Sequence, residues 1–262
     1  MRRSELRERL SGGAPMVGTF LKTPAHLVVE VLAGSKLDFV CLDAEHAAFD
    51  RAALDACCAV GRALDFPVLV RVPDGTPHHI LAALDSGAIG VVVPHVASPE
   101  TARGVARAAR FGPGGRGFAG ATRWADFGGH GMGALIERSR RETVVIAQIE
   151  EPEGVEACEA IAAVDGIDGL FVGPSDLSVG YGLTAVGGAD LDAAMTRVGA
   201  AARANGRALA TWTAGSAQAR DWARTHGVDM FLIASELNWM RQGADSVVDD
   251  LQGPGSGGEG AF

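Results

Sequence analysis

Residues 164–178 read VDGIDGLFVGPSDLS, and this stretch holds the pattern that decides the fold. Residues 169–173 form a short apolar run of the kind that builds a buried strand, and residues 173–176 after it open a helix or a turn. The same order, an apolar run and then a helical stretch, recurs along the chain. Eight such runs are predicted as strands, at residues 16–21, 39–43, 68–72, 90–95, 144–150, 169–173, 208–213 and 230–234.

Helical stretches alternate with these runs. The pairs Thr23-Pro24, Thr76-Pro77 and Ser98-Pro99 are typical of an N-cap followed by the first helical residue. Runs that are apolar on both faces fit parallel strands covered by helices. Eight β and eight α units therefore predict a single-domain (β/α)8 TIM-type barrel over residues 1–252. The helices are expected at residues 24–33, 51–63, 77–86, 99–111, 152–163, 190–205, 216–226 and 237–251.

A doubly wound open sheet is the alternative architecture. It usually carries a glycine fingerprint after its first strand, and residues 18–21, GTFL, lack one. Two segments depart from the alternation. Residues 111–133 form a long glycine-rich connection with Arg116, Arg123 and Trp124, which fits either a lid over a site or a surface excursion. Residues 253–262 are Gly/Ser-rich and predict a flexible tail.

Composition and charge narrow the class of protein. Of the 262 residues, 47% are hydrophobic, which is typical of a folded chain, and 23 basic against 32 acidic residues give a net charge of −9. This balance argues against nucleic acid or an anionic membrane as a partner. No apolar run reaches the roughly 20 residues of a membrane helix, and the charged N-terminus does not resemble a signal peptide. Four scattered cysteines suggest reduced thiols in a cytoplasmic protein.

Polar side chains follow five consecutive predicted strands. In a TIM barrel the chemistry is built at the carboxyl ends of the strands, so these side chains are expected to share one site. A surface role for all of them together is the weaker interpretation. The residues are Asp43, Glu45 and His46 after the second strand, Arg71 after the third, His95 after the fourth, Gln148 and Glu150 in the fifth, and Ser175 and Asp176 after the sixth.

The residue types in this set indicate a metal and an oxyanion. Glu150 and Asp176 end neighbouring strands, and two carboxylates there suit Mg²⁺ or Mn²⁺, which prefer oxygen ligands. Asp176 has the alternative role of capping the helix that follows it. The amides of residues 173–176 and the fork of Arg71 both suit a substrate carboxylate or a developing oxyanion.

His46 is the strongest acid–base candidate, because an imidazole titrates near neutral pH and this one lies among acidic residues. Asp43 or Asp85 would orient it. His95 has fewer such neighbours in the sequence and is interpreted as structural or supporting.

The lysines bear on the choice between metal and Schiff-base chemistry. The chain has two, Lys22 and Lys36, and none lies in the fifth to eighth strands, where a buried Schiff-base lysine would be sought. Lys22 follows the first strand and stays open as a candidate. Metal-assisted enolate chemistry is therefore favoured over iminium chemistry.

The pattern at the strand ends resembles the HpcH/HpaI-type class II aldolases, metal-dependent lyases that act on 2-oxo acids. The resemblance spans residues 18–244. The segments that carry it are LDAEHA at 42–47, VRVP at 70–73, LDSGA at 84–88, VP at 93–94, RG at 116–117, RW at 123–124, QIE at 148–150 and VDGIDGLFVGPSDLS at 164–178.

The resemblance implies a role for each matched residue. Glu150 and Asp176 would bind the divalent ion, Mg²⁺ or Mn²⁺ with Co²⁺ possible, and no organic cofactor is implied. Arg71 would stabilise the enolate oxygen with Asp43 beside it, and His46, oriented by Asp85, would act as acid and base. The residues implied to bind the 2-oxo acid are Gln148, Gly173, Pro174, Ser175 and Asp176, together with Arg71.

The aldehyde pocket is where the sequence departs from the family pattern. Phe20 stands where tryptophan is familiar, the seventh strand ends with Trp212 and Thr213, and Ser175 replaces a common alanine. Arg123 and Trp124 are further candidates for this pocket, each with a packing role as the alternative. The family is usually oligomeric, so we expect a homo-oligomer, a hexamer or trimer of dimers, with the helix at 237–251 packed on a neighbour.

These features predict reversible cleavage of a 4-hydroxy-2-oxo acid into pyruvate, or a close analogue, and an aldehyde. One alternative uses the same site to decarboxylate oxaloacetate or to trap the enolate in another C–C bond. A second is a lyase for acyl-CoA thioesters, related to citrate lyase β and malyl-CoA lyase. A non-catalytic barrel is a third, disfavoured by the joint presence of His46, Arg71, Glu150 and Asp176.

Overall fold

Eight parallel strands close into a barrel, in the order of the sequence, in a computed structural model that describes residues 2–10, 12 and 14–252. Each strand pairs with the next, and the eighth pairs with the first. The predicted (β/α)8 barrel is thus confirmed. The strands are β1 Met16–Leu21, β2 Phe39–Asp43, β3 Val68–Arg71, β4 Gly90–Val93, β5 Val144–Ile149, β6 Gly169–Val172, β7 Ala208–Thr213 and β8 Met230–Ser235.

Helices surround the barrel, and within the described residues none is both long and apolar enough to span a bilayer. They are α1 Leu6–Arg9, α2 His26–Ala33, α3 Arg51–Ala63, α4 Pro77–Asp85, α5 Pro99–Ala109, α6 Met132–Glu142, α7 Pro152–Glu156, α8 Cys158–Ala162, α9 Pro174–Gly180, α10 Ala189–Ala204, α11 Ser216–His226 and α12 Glu236–Gln252. The predicted tail at 253–262 lies outside the described residues.

Alternation along each strand divides the core into two layers. One layer fills the barrel with Phe20, Phe39, Leu69, Ile146 and other side chains from every second strand position. The intervening positions pack against the helices in a larger cluster. Successive side chains of a strand point to opposite faces, so the position of a residue within its strand decides whether it faces the barrel interior.

Glycine is required where the first two strands approach inside the barrel. A Cβ added to Gly18 would lie 2.5 Å from the Phe39 ring, closer than real Cβ contacts allow. The full burial of Phe39 therefore depends on the absence of a side chain at position 18.

Several predicted boundaries are wrong. Thr23-Pro24 does not begin a helix, because the backbone and hydroxyl of Thr23 donate to the Glu236 carboxylate and α2 starts only at His26. The predicted helix at 152–163 is divided at Ala157, whose φ of −95° and ψ of 3° are not helical. Helix α6 was not predicted, because its contribution to the core is confined to Leu135 and Ser139.

The long connection after α5 packs onto the protein. Trp124 is 2% exposed and lies with its ring centroid 5.5 Å from that of Phe111 and 4.4 Å from the Arg138 guanidinium carbon. Arg116 pairs with Asp85 across this connection. Its central part is therefore a packed structural segment rather than a loose surface excursion.

Candidate active site

Asp43 and Arg71 form the centre of the site at the carboxyl end of the barrel. They are partners in the register between β2 and β3 and occupy interior positions of their strands. The Arg71 Nε donates to Asp43 Oδ1 over 3.0 Å, and an Nη lies 2.8 Å from Oδ2. Arg71 is 6% exposed and Asp43 is fully buried, so this two-point contact fixes the guanidinium plane.

Four further groups hold this pair in place. The His46 backbone N–H donates to Asp43 at 3.1 Å, and the Lys22 ammonium lies 3.3 Å from its other oxygen. Burial alone would raise the pKa of Asp43, but Arg71 and the other donors hold it below its usual value. The Arg71 guanidinium also lies 3.2 Å from Glu45 and above the Phe20 ring at 4.3 Å.

Glu150 and Asp176 face each other across Gly173. A Cβ added to Gly173 would lie 2.9 Å from the Glu150 Cβ and 3.7 Å from the nearer Asp176 oxygen. Burial and the neighbouring Asp176 charge raise the pKa of Glu150. A buried Glu150 carboxylate beside the exposed Asp176 carboxylate forms a site whose charge a cation would balance.

Gln148 supports the same interpretation. Its side chain is fully buried, and its Nε2 donates to Glu150. Its Oε1 is buried without a hydrogen-bond partner among the described residues. Together with Glu150 and Asp176 it makes an all-oxygen donor set of the kind that Mg²⁺ and Mn²⁺ prefer, so these residues fit a divalent cation.

Glu45 and His95, expected at the shared rim without a chemical role, are members of the charged network. Ligand atoms of Glu45, His95 and Glu150 lie within 4.8 Å of one another, a second arrangement able to hold a metal. Glu45 is already paired with Arg71, and His95 donates from Nδ1 to Glu151 at 2.6 Å. We therefore regard the donor set of Glu150 and Asp176 as the better cation site.

The backbone of His95 explains its unexpected position. Its φ of 57° is in the left-handed region, which turns the His95 N–H onto a Glu150 oxygen at 2.7 Å. The imidazole, 62% exposed, is surrounded by carboxylates that raise its pKa against the effect of burial. Sequence alone carries no signal for such a turn in a residue other than glycine.

His46 lines the pocket and is exposed, with Nε2 3.8 Å from Glu45. Asp85, the predicted orienting residue, lies elsewhere in this chain. Its carboxylate pairs with Arg116, and it lines a separate depression beside Arg123. The carboxylates near His46 within one chain are Glu45 and Asp43, so the expected His46–Asp85 contact is not found among the described residues.

The predicted aldehyde residues divide into two groups. Phe20 and Trp212 line the pocket, and the Trp212 Nε1 donates to the Ala234 carbonyl at 3.2 Å. Arg123 pairs with Asp55 at 2.6 Å outside the pocket. Trp124 is buried in the connection after α5, as described above. Neither side chain lines the pocket within one chain, and both have the packing role that was the alternative.

Thr213, a third residue predicted for the aldehyde pocket, also does not line the pocket. It directly follows Trp212 in β7, and alternation turns its side chain to the outer face of the barrel. It is fully buried there, away from the pocket that Trp212 lines.

The pocket encloses about 310 Å³ at the carboxyl end of the barrel. Its lining includes the predicted oxo-acid residues, Asp176 among them, together with groups from β1, β7, β8 and α12, whereas Glu150 adjoins the pocket at Gly173 without lining it. The lining residues are Phe20, Lys22, His46, Arg71, Gln148, Phe171, Gly173, Pro174, Ser175, Asp176, Trp212, Ala234, Ser235 and Asn238.

Comparison with known families identifies the family of this chain. The model of the HpcH/HpaI aldolase/citrate lyase family matches residues 16–242. The chain belongs to the HpcH/HpaI aldolase/citrate lyase family. This family is generally dependent on a divalent metal, which agrees with the donor set around Glu150.

Relatives within the HpcH/HpaI family agree in fold and in reaction class. A hydroxypyruvate/pyruvate aldolase of Roseovarius nubinhibens is 33% identical over 87% of this chain and 91% of its own length. A 4-hydroxy-2-oxovalerate aldolase of Rhodococcus jostii is 34% identical over 78% of this chain and 80% of its own length. A family member of known structure from Burkholderia cenocepacia is 30% identical, with a TM-score of 0.89 over 95% of this chain and 99% of its own. The chain is accordingly a class II aldolase.

Proposed function

We propose that this aldolase reversibly cleaves a 4-hydroxy-2-oxo acid into pyruvate, or a close analogue such as hydroxypyruvate, and an aldehyde. The observation that carries the proposal is the convergence of a fixed guanidinium and the Asp176 carboxylate in one pocket, with the Glu150 carboxylate beside Gly173 of its lining. The relatives named for hydroxypyruvate, pyruvate and 4-hydroxy-2-oxovalerate support this donor class.

Glu150 and Asp176 would hold the divalent cation, Mg²⁺ or Mn²⁺. When bound, the cation supplies a Lewis acid for the 2-oxo acid. Gln148 would bind the substrate from the same side, since its buried Oε1 lacks a partner among the described residues. The residues of 173–176 line the pocket beside these carboxylates and would surround the carboxylate end of the 2-oxo acid.

Arg71 would stabilise the negative charge that appears on the former oxo oxygen as the C–C bond breaks. Its position is fixed by Asp43 and Glu45 before the reaction begins, so it needs little reorganisation in the transition state. The Phe20 ring beneath the guanidinium restricts it further.

His46 would accept the proton of the 4-hydroxyl group in cleavage and return it in the condensation direction. It lines the pocket and is exposed enough to exchange that proton with water. Its backbone N–H is bound to Asp43, which ties the base to the same network as Arg71. Among the described residues that line the pocket, no specific contact favours the decarboxylase or the acyl-CoA alternative over the aldolase.

The proposal is tested by removing the two carboxylates without changing shape. Glu150→Gln and Asp176→Asn are each expected to abolish Mg²⁺- or Mn²⁺-dependent cleavage of 4-hydroxy-2-oxopentanoate and to weaken Mn²⁺ binding, measured by electron paramagnetic resonance. Glu153→Gln, an exposed acid in the same part of the chain, is the matched control and should change neither. Full metal-dependent turnover in either site variant would refute the assignment.

A further inference from the structure

A second and larger cavity, of about 740 Å³, lies at the amino-terminal end of the barrel. Arg7 and Arg110, which line it, bind the carboxylate of Asp168, the residue before β6. The same carboxylate accepts from the backbone N–H of Val145 at the start of β5 over 2.8 Å. The active-site pocket lies at the opposite, carboxyl ends of these strands. The cavity therefore belongs to a part of the fold that the aldolase chemistry does not use.

The charge of this cavity is opposite to that of the protein. The chain has a net charge of −9, yet five of the six charged residues in the described lining are basic. They are Arg7, Arg103, Arg107, Arg110, Arg140 and Asp165. A concave surface that carries one sign of charge concentrates ions of the other sign. The cavity is therefore suited to an anion.

Asp168 holds two of these guanidinium groups in fixed positions. Its side chain is 7% exposed, and it contacts Arg7 at 2.8 Å and Arg110 at 3.0 Å. Because one carboxylate carries one negative charge, the two arginines together keep a positive charge. The Arg110 Nη1 is buried and has no hydrogen-bond partner among the described residues. An anion that entered the cavity would meet guanidinium groups that are already ordered.

The other three arginines have weak partners or none. Arg103 and Arg107 lie one turn apart on α5, and like charges at that spacing slightly destabilise a helix. Arg103 pairs with Glu100 at 2.5 Å, but both side chains are largely exposed, and such ion pairs contribute little. Arg140 approaches the exposed Glu137 at 3.9 Å. Arg107 forms no ion pair with another described residue. These guanidinium groups are free to bind a ligand.

The residue types indicate which anion fits. A guanidinium group binds phosphate oxygens through two parallel N–H···O bonds, and several such groups around one volume suit several linked phosphates. Small side chains in the lining, Ala106, Ala160 and Ala163, leave the cavity open, and its volume is within the range of small-molecule sites. A long nucleic acid would extend beyond the cavity across a protein of net negative charge.

We propose that this cavity binds a small molecule with two or more linked phosphate groups, either free polyphosphate or the polyphosphate group of a nucleotide. The two guanidinium groups held by Asp168 form the ordered part of the site. Arg103, Arg107 and Arg140 supply the further contacts to phosphate oxygens. The site is independent of the aldolase reaction, because it lies at the other end of the barrel.

The test is isothermal titration calorimetry of the full chain with inorganic triphosphate and with ATP. EDTA is present throughout, so that a metal ion at Glu150 and Asp176 cannot recruit the phosphate groups. The wild-type protein is expected to bind triphosphate, with an affinity that falls when salt is raised from about 50 to about 200 mM. Similar affinities for the two ligands would identify the polyphosphate group alone as the ligand, and tighter binding of ATP would identify a nucleotide.

Arg107→Gln is the most informative variant, because this side chain has no ion pair to lose and the fold should be unaffected. It should weaken triphosphate binding about 10- to 100-fold, as expected for the loss of a charged hydrogen bond. Arg107→Lys keeps the charge and should lose less. Arg220→Gln changes the net charge equally at an exposed position on α11, and this matched control should bind as the wild type does.

Four results would overturn the proposal. The first is no binding by the wild-type protein at about 1 mM triphosphate. The second is an equal loss in Arg107→Gln and Arg220→Gln, which would make net charge rather than the cavity responsible. The third is equal affinity for sulfate and triphosphate, and the fourth is tighter binding of a DNA duplex than of triphosphate. Aldol cleavage, measured separately, should be unchanged in Arg107→Gln, and its loss would contradict the independence of the two sites.

Discussion

At the scale of single residues, Arg71 combines a chemical and a structural task. It contacts Asp43 and Glu45, two acids with little exposure, and it faces the pocket. Removing one member of a buried ion pair leaves the other charge without compensation and costs about 3–5 kcal/mol. Stability and catalysis at this position are therefore separable only with a substitution that keeps the charge.

Arg71→Lys is expected to lower kcat about 100- to 1,000-fold with a small change in stability, because a lysine keeps the charge but loses the two-point geometry. Arg71→Ala should lose both activity and about 3–5 kcal/mol of unfolding free energy. Steady-state kinetics measures kcat of both variants, and urea denaturation measures their free energy of unfolding. Wild-type kcat in Arg71→Lys would contradict an oxyanion role.

The buried thiols give a prediction for alkaline pH. Burial raises the pKa of Cys57 to about 11, and burial together with Glu159 raises that of Cys158 to about 11. An unfolded thiol titrates near 8.5, so the folded state keeps protons that the unfolded state loses. The free energy of unfolding should fall as pH rises from about 8.5 towards 11. Urea denaturation at a series of pH values should show that the free energy of unfolding falls less steeply with pH in Cys57→Ala/Cys158→Ala than in the wild-type protein. The same slope in both proteins would contradict the role of the buried thiols.

Residue-level sequence reasoning succeeded where strand alternation and residue type agreed. Asp43, Arg71, Gln148 and Glu150 all occupy interior positions near strand ends, and the structure brings them together. The same alternation could have excluded Thr213. The role of Asp85 could not be judged, because its pairing with Arg116 depends on how a long connection folds back.

At the scale of elements, the connection after α5 shows how a segment without regular structure is stabilised. Trp124 is its centre, packed against Phe111, with the guanidinium carbons of Arg116 and Arg138 at 5.0 and 4.4 Å from its ring. Asp126 pairs with Arg138 at 2.5 Å and with Arg62 from α3. These contacts join the connection to the helices beside it.

Trp124→Ala should lower the free energy of unfolding by about 3–5 kcal/mol, as for a large buried aromatic, without changing the preference among aldehydes. Phe127→Ala, at a 66% exposed position in the same segment, is the control and should lower the free energy of unfolding far less. Thermal and urea denaturation measure the stability of both variants. A change in aldehyde preference with unchanged stability would restore Trp124 to the pocket.

The elements themselves were predictable to different degrees. The strands are short, continuous apolar runs, and their bounds were expected to within a few residues. Helix α6 is polar overall and buries two side chains, Leu135 and Ser139, so it lacks the apolar residues that marked the other helices. The start of α2 depends on Glu236, which is distant in the sequence and follows the last strand. Local sequence cannot reveal a contact of that kind.

At the scale of the whole molecule, α12 carries an apolar face that no other described part of the chain covers. Leu237, Met240, Val247 and Leu251 are 47–82% exposed and recur at helical spacing along α12. Such a continuous stripe is unusual on an isolated subunit. Together with the family resemblance, it supports the expectation that the protein is a homo-oligomer.

Val247→Asp/Leu251→Asp should shift the protein towards smaller species in light scattering coupled to size-exclusion chromatography. The physical reason is that two charges would have to be buried in the interface. Asp249→Asn, a change on the same helix outside the apolar stripe, is the control. A single-chain mass for the wild-type protein would contradict the expectation.

The barrel as a whole was predictable because eight alternating units leave few closed parallel arrangements. The pocket was predictable in part, since the carboxyl ends of the parallel strands meet at one rim of the barrel for any conformation of the loops. The contributions of Lys22, Ser235 and Asn238 became clear only when closure placed β8 beside β1.

The most direct test of the central claim is proton–deuterium exchange at the methyl group of pyruvate, followed by NMR without any aldehyde. The account predicts exchange with Mg²⁺ or Mn²⁺, its loss with EDTA, and its loss in Glu150→Gln and Arg71→Lys. Exchange that persists in EDTA, or that is unaffected in both variants, would contradict enolate formation at this metal-dependent site.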